Sequence, residues 1–193
     1  MTRTHILASL ALAFAALSHA PLAHARDDRR PVARRLTLAY YGDLLTHPGV
    51  SLGGEHELVG WGGHSFFGGL QLAAYHHAGF HTALLTTAEF GYRYTFGSGF
   101  YGDLRVSAGY AHTWLAGSTW TPDGNGGFAS VAGASRGAFA PGGALTMGWD
   151  FSRRAKAPLS VFARISCWEQ LPVNDVAALH IAGQLGVAIH FDR

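Results

Sequence analysis

The sequence predicts an all-β fold, an eight-stranded antiparallel up-and-down transmembrane β-barrel. Three observations point there. Bulky apolar residues alternate with small or polar ones, at period two, along eight segments. Charged residues are scarce, at 13% against 48% hydrophobic, about half the usual charged share. Glycine, at 26 of 193 residues, is about twice its average usage and marks many of the breaks between segments. The same composition excludes other classes. Disordered chains are charged and poor in aromatics. A coiled coil needs heptads, and none are present. A disulfide scaffold needs paired cysteines, and Cys167 is alone. The net charge of +2 leaves no electrostatic footprint for nucleic acid.

Residues 1–25 read as a secretory signal peptide. Arg3 supplies the positive start. Ile6 to Leu17 is an apolar run too short to span a bilayer as a helix. Ala23-His24-Ala25 is a small-x-small cleavage site, preferred over Ser18-His19-Ala20, which would leave Pro21 at the new N-terminus. Residues 26–34 are then an N-terminal periplasmic segment, and residues 35–193 the barrel.

The strands follow in order. Leu36 to Leu45 and Val50 to Leu58 open the barrel, the second with Glu55 and Glu57 on its polar face. In the third, Phe66, Leu70, Leu72 and Ala74 oppose Phe67, Gly69, Gln71, Ala73 and Tyr75. In the fourth, Phe80 to Phe96, the apolar face carries Leu84, Phe90, Tyr92 and Tyr94, and the other carries His81, Thr87, Glu89 and Arg93. In the fifth, Phe100 to Trp114, Leu104, Val106 and Tyr110 oppose Tyr101, Asp103, Arg105 and Ser107. The sixth sets Phe139, Leu145, Met147, Trp149 and Phe151 against Ala140, Gly142, Ala144, Thr146 and Asp150. The seventh sets Leu159, Val161, Ala163 and Ile165 against Ser160, Phe162, Arg164 and Ser166. The last, His180 to Phe191, is the clearest, with Ile181, Leu185, Val187, Ile189 and Phe191 on one face. Turns are expected at His47-Pro48-Gly49, Gly60-Trp61-Gly62-Gly63, Ala78-Gly79, Gly97-Ser98-Gly99, residues 155–158 and residues 171–175. One long connection, 116–138, carries a turn or tip at residues 122–127.

Alternation alone also fits a soluble sandwich or a lipocalin-like barrel. In a soluble barrel the bulky apolar face fills the inside. Here the polar faces read as too small or too polar for a dry core, so the apolar faces are expected to meet lipid. Aromatic residues fall at both sets of strand ends, as two girdles require. An even strand count puts both termini on one side, expected to be periplasmic, and the long 116–138 connection on the external side.

The signal peptide, the eight amphipathic strands and the final Ile189-His190-Phe191 together resemble the small eight-stranded bacterial outer-membrane β-barrels. Tyr75-His76-His77-Ala78-Gly79-Phe80-His81, with Glu89-Phe90-Gly91-Tyr92-Arg93, resembles an uncharacterised group of barrels of this size. That likeness implies an outer-membrane location, contact with membrane lipid and lipopolysaccharide, and assembly by the barrel-insertion machinery. It implies no activity.

The inward charges form the first candidate site: Glu55, Glu57, Glu89, Arg93, Asp103, Arg105, Asp150 and Arg164. An eight-stranded barrel is just wide enough for side chains to fill, and unpaired charge there is costly, so a paired plug is expected ahead of a proton or solute path. Histidine forms the second. Nine of the 12 lie beyond the signal peptide, and His47, His76, His77, His81, His112 and His180 map to the external half. Of these, His47, His77, His81 and His180 are the candidate ligands for zinc or copper, with affinity lost below about pH 6 as the rings protonate. No CxxC spacing is present, the one His-x-x-x-His, from His77 to His81, spans an expected turn, and the alternative is a wet polar rim.

Three functions stay open. The leading one is a non-enzymatic structural or surface-interaction barrel with a filled lumen and no cofactor. The second is a small-ligand or metal-binding or translocating barrel. The third is a lipid A-modifying enzyme. Lipid A deacylases of this shape carry a His-x-Ser-Asn signature that is absent here. His180 lies one strand from Ser166 and Glu169, a trio that the pattern allows but does not force.

Overall fold

A computed structural model describes residues 34–124, 126–153, 155, 157–173 and 176–191. The expected signal peptide and nearly all of the N-terminal segment lie outside the described residues. The strands are β1 (Arg34–Asp43), β2 (His47–Trp61), β3 (His64–His77), β4 (His81–Thr95), β5 (Phe100–Leu115), β6 (Ser118–Pro122), β7 (Phe128–Ala132), β8 (Ser135–Phe139), β9 (Gly142–Asp150), β10 (Leu159–Val173) and β11 (Val176–Phe191).

β1 to β5 pair in sequence, β5 pairs with β8 and β9, these pair with β10, and β10 pairs with β11. The sheet closes where β11 pairs antiparallel with β1, from Arg34 opposite Phe191 to Asp43 opposite Ala182. Closure leaves no sheet edge, so the backbone hydrogen bonds of the wall are satisfied within the wall.

β8 and β9 are one barrel strand. The register with β5 runs through unbroken, with Tyr110 opposite Phe139 and Ser107 opposite Gly142. The interruption is Pro141, which has no N–H to give the ladder. Its neighbours hold the pairing: Ala140 N–H donates to Gly109 O at 2.9 Å, and Glu169 N–H donates to Pro141 O at 2.9 Å. The ring therefore has eight strands, the number read from the alternation.

Several expected boundaries move. His47-Pro48-Gly49 is not a turn but the start of β2. The chain reverses at Leu44 and Leu45 instead, both at positive φ (48° and 62°), a conformation uncommon outside glycine. The sixth barrel strand begins at Ser135, so the long connection ends at 134 rather than 138. That connection carries its own hairpin, β6 with β7, which pairs with no barrel strand. β10 runs on to Val173, so the last turn is shorter than the expected 171–175.

The alternation fixes the two faces. On β1, Leu36, Leu38 and Tyr40 are exposed and Arg35, Thr37, Ala39, Tyr41 and Asp43 are buried. The outward surface carries Leu38, Leu52, Leu104, Val106, Leu145, Met147, Ile165, Leu185 and Val187, all exposed. A band of this composition is at home in hydrocarbon, not water. At the end holding β1's start, ring contacts link Phe66, Tyr92, His64, Tyr94, Phe96, Phe100 and Trp149 around the wall.

The lumen differs from the expectation in one respect. Its faces are not only small and polar. Phe67, Tyr41, Tyr75, Tyr101, Phe162 and Trp168 are all buried inside. All but Phe67 fall into two apolar clusters, one with Tyr41, Tyr75, Leu85 and Trp168, the other with Tyr101 and Phe162. Glycine and alanine at facing positions make the room: the Phe67 ring lies against Gly91 and the Tyr101 ring against Gly148.

Candidate functional site

Four arginines and three carboxylates meet in the half of the lumen nearer β1's start. Glu55 on β2 is the hub. Its Oε2 accepts from Arg93 Nη2 at 2.8 Å and from Arg35 Nη1 at 3.3 Å. Its Oε1 lies 2.8 Å from Arg105 Nη1 on the far wall. Arg105 grips Asp103 with two donors, Nε to Oδ1 at 2.8 Å and Nη2 to Oδ2 at 2.9 Å, and gives Nη1 to Glu89 Oε2 at 2.8 Å. Arg93 also donates to Asp103, at 2.8 Å from Nη2. Arg164 is held more loosely, 3.6 Å from both Glu55 and Glu89, with Nε donating to Thr146 Oγ1 at 3.2 Å. Charge-assisted, forked contacts are the strong kind of hydrogen bond, and here water is largely excluded from them.

Aromatic faces cover the cations. The Phe67 ring lies 4.5 Å from the Arg93 guanidinium and 4.6 Å from that of Arg105. Arg35 donates to Tyr101 Oη at 2.8 Å. Towards the long-connection end, Gln184 Oε1 accepts from Gln71 at 2.9 Å and from Ser51 at 3.2 Å. A cavity of ≈ 20 Å³, room for about one water, sits among Glu89, Arg105, Gln71, Leu85 and Trp168. Above it, Trp168 Nε1 donates to Tyr41 Oη at 3.2 Å, and the Tyr41 and Tyr75 rings stack at 5.7 Å.

Of the eight charged residues expected inside, Glu55, Glu89, Arg93, Asp103, Arg105 and Arg164 meet in this network. Asp150 lies elsewhere, at the end near β1's start. It accepts from Ser152 N–H and Oγ at 3.0 and 2.7 Å and lies 3.8 Å from His190 Nε2. His190 in turn hydrogen-bonds Ser160. Glu57 is half-buried at the bulge between Glu57 and Val59, with its carboxylate against Gly60. Arg35 is a member that the sequence reading omitted. Its signal was available: Leu36, Leu38 and Tyr40 face outward, so odd positions of β1 face in.

The rim at the long-connection end gathers the histidines. Five adjacent strands, β11, β1, β2, β3 and β4, bring His180, Asp43, His47, His77 and His81 together. His180 Nδ1 lies 3.3 Å from both carboxylate oxygens of Asp43, and His47 Nδ1 lies 3.6 Å from Asp43 Oδ2. The His47 and His77 rings stack at 3.6 Å, and His77 meets His81 edge-on at 5.4 Å. Trp168 stacks flat on His180, 4.0 Å away. As the side chains stand, no three His, Cys, Asp or Glu groups among the described residues are arranged to hold a metal ion. Asp43, buried at the centre of the arc, is the residue the sequence reading missed. His76 and His112 belong to the outer face, bonded to Thr82 at 2.9 Å and Tyr110 at 3.1 Å.

The trio considered for catalysis does not converge. His180 and Ser166 lie on inward positions, and Ser166 Oγ donates to Ala182 O at 3.4 Å. Glu169 follows Trp168 on the opposite, exposed face. Cys167 is also exposed on that face.

No family model matches the chain, and no curated protein matches it. Solved structures do share the fold. Neisserial surface protein A aligns at a TM-score of 0.50 and 9% identity, over 84% of this chain and 97% of that one. The N-terminal β-barrel domain of Pseudomonas aeruginosa OprF aligns at 0.46 and 16%, over 82% and 97%. Ail, the attachment invasion locus protein of Yersinia pestis, aligns at 0.44 and 10%, over 83% and 97%. The chain has the fold of the small eight-stranded outer-membrane β-barrels.

Proposed function

We propose that this chain is exported by its residues 1–25, loses them, and sits in a bacterial outer membrane with both termini periplasmic. Its surroundings there are membrane lipid and lipopolysaccharide, and the barrel-insertion machinery delivers it. Its function is non-enzymatic: a sealed barrel with a structural or surface-interaction role, its external face dominated by the 116–134 connection and the β6–β7 hairpin.

The observation that carries this reading is the cross-lumen ion network centred on Glu55. Seven charged side chains, with Phe67 and Tyr101 packed on them, occupy the space a solute would need. A surface role then falls to what projects from the wall, and a 19-residue connection with its own hairpin is the largest such projection among the described residues. The separation of Glu169 from His180 and Ser166 removes that trio as a catalytic site.

Two measurements test it. Lipid A extracted from cells with and without the gene should give the same mass spectrum, and a lost or added acyl chain would overturn the non-enzymatic reading. In a Cys167→Ser background, Ser130→Cys on β7 should react with a membrane-impermeant maleimide on intact cells, and Ser98→Cys on the opposite turn should not. The reverse pattern would invert the orientation.

A further inference from the structure

We propose that the histidine arc at the long-connection mouth is a binding site for one divalent transition-metal ion, zinc or copper, with Asp43, His47 and His180 as its principal ligands. This site does not depend on a sealed lumen, so it and the preceding reading fail separately.

Four observations lead to it. The first is concentration: one residue from each of five adjacent strands is His or Asp, and all face the same mouth. Neutral imidazole with carboxylate is a donor set suited to zinc and copper. The second is spacing. With ligand bonds of about 2.0 Å, neighbouring donors of a tetrahedral zinc site lie about 3.3 Å apart. Asp43 lies 3.3 Å from His180 Nδ1 and 3.6 Å from His47 Nδ1. Those separations are long for a charge-assisted hydrogen bond, which closes to about 2.8 Å.

The third observation is an unused donor atom. His47 Nδ1 is buried and makes no hydrogen bond among the described residues. Its nearest acceptor, Asp43 Oδ2, is 3.6 Å away, too far for a hydrogen bond; a buried ring nitrogen left so is costly, and a cation between the two would satisfy both. The fourth is support behind the ligands. Trp168 stacks on His180 and is itself fixed by its hydrogen bond to Tyr41, while His77 stacks on His47. Such neighbours set ring orientation in metal sites. His77 and His81 lie next along the arc and can supply the fourth donor. The donors do not yet surround one point, so binding requires side-chain rotation at the mouth.

The rival reading is a wet polar rim that holds no metal. Untagged, refolded protein in detergent, freed of metal by chelation, is titrated calorimetrically with zinc chloride and then with copper(II). One ion per barrel is expected. His180→Gln and Asp43→Asn should each weaken it at least about tenfold. His112→Ala, on the outer face, should leave it unchanged. Heat-modifiable migration in SDS shows which variants are folded. Should the variants not fold, the wild type still decides: saturating zinc is expected to raise its unfolding temperature in SDS. Absence of saturable binding, or affinity retained in folded His180→Gln, would overturn the proposal.

Discussion

Glu55 on β2 and Arg105 on β5 meet at 2.8 Å, although β3 and β4 stand between their strands in the wall. The pair therefore crosses the lumen rather than running along the sheet. Two further arginines, Arg93 and Arg35, converge on the same carboxylate, so Glu55 is the anion that makes a crowd of buried cations tolerable.

Removing that anion should be severe. Glu55→Gln leaves Arg35, Arg93, Arg105 and Arg164 facing a neutral amide. Breaking one side of a buried ion network costs about 3–5 kcal/mol. Urea unfolding in lipid vesicles, followed by tryptophan fluorescence, measures it. A change within about 0.5 kcal/mol, the range of an ordinary surface substitution, would mean that the network does not hold the barrel together.

The space over Gly91 is a second weak point. Phe67 fills it, and a side chain there would push the ring off Arg93 and Arg105. Gly91→Val is expected to destabilise by about 1–3 kcal/mol through overpacking. The double variant Gly91→Val with Phe67→Ala should recover part of the loss. No recovery would show that the two positions are not coupled.

The outward face should respond to charge according to depth. Leu38 lies midway along β1, and Leu159 lies at the end of β10 near β1's start. Leu38→Arg is expected to cost about 2–4 kcal/mol and Leu159→Arg about 0–1 kcal/mol. Equal effects from refolding titrations in vesicles would contradict the placement of the hydrocarbon band.

The β6–β7 hairpin should be dispensable for folding. It pairs only with itself. Replacing residues 118–132 by a short Gly-Ser linker is expected to leave a heat-modifiable barrel. Loss of that behaviour would show that the hairpin takes part in the wall.

Much of this architecture was legible because a strand's side chains alternate strictly, so Ile181, Leu185 and Val187 announce their face without reference to any neighbour. Parity also placed Glu89, Arg93, Asp103 and Arg105 on the inside. It could not say which residues from distant strands would meet. Trp168 with Tyr41, and Asp150 with His190 apart from the other charges, depend on barrel closure and strand tilt. The aromatic lumen was hidden for a different reason. Phe67 and Tyr101 read as misfits on a polar face until their facing glycines, Gly91 and Gly148, are seen across the strands. Pro141 and His47-Pro48-Gly49 show the limit of breaker residues: pairing with β1 carried the strand through His47-Pro48-Gly49, and pairing with β5 before and after Pro141 carried it there.

The sealed lumen is the centre of this account, and single-channel recording tests it most directly. Refolded protein is added to a planar bilayer at high salt under an applied potential. The Glu55–Arg105 network is expected to leave the baseline flat, with no stable nanosiemens steps, at any protein concentration that gives insertion. Reproducible steps of one size, from protein shown to be folded, would mean an open interior and would contradict it.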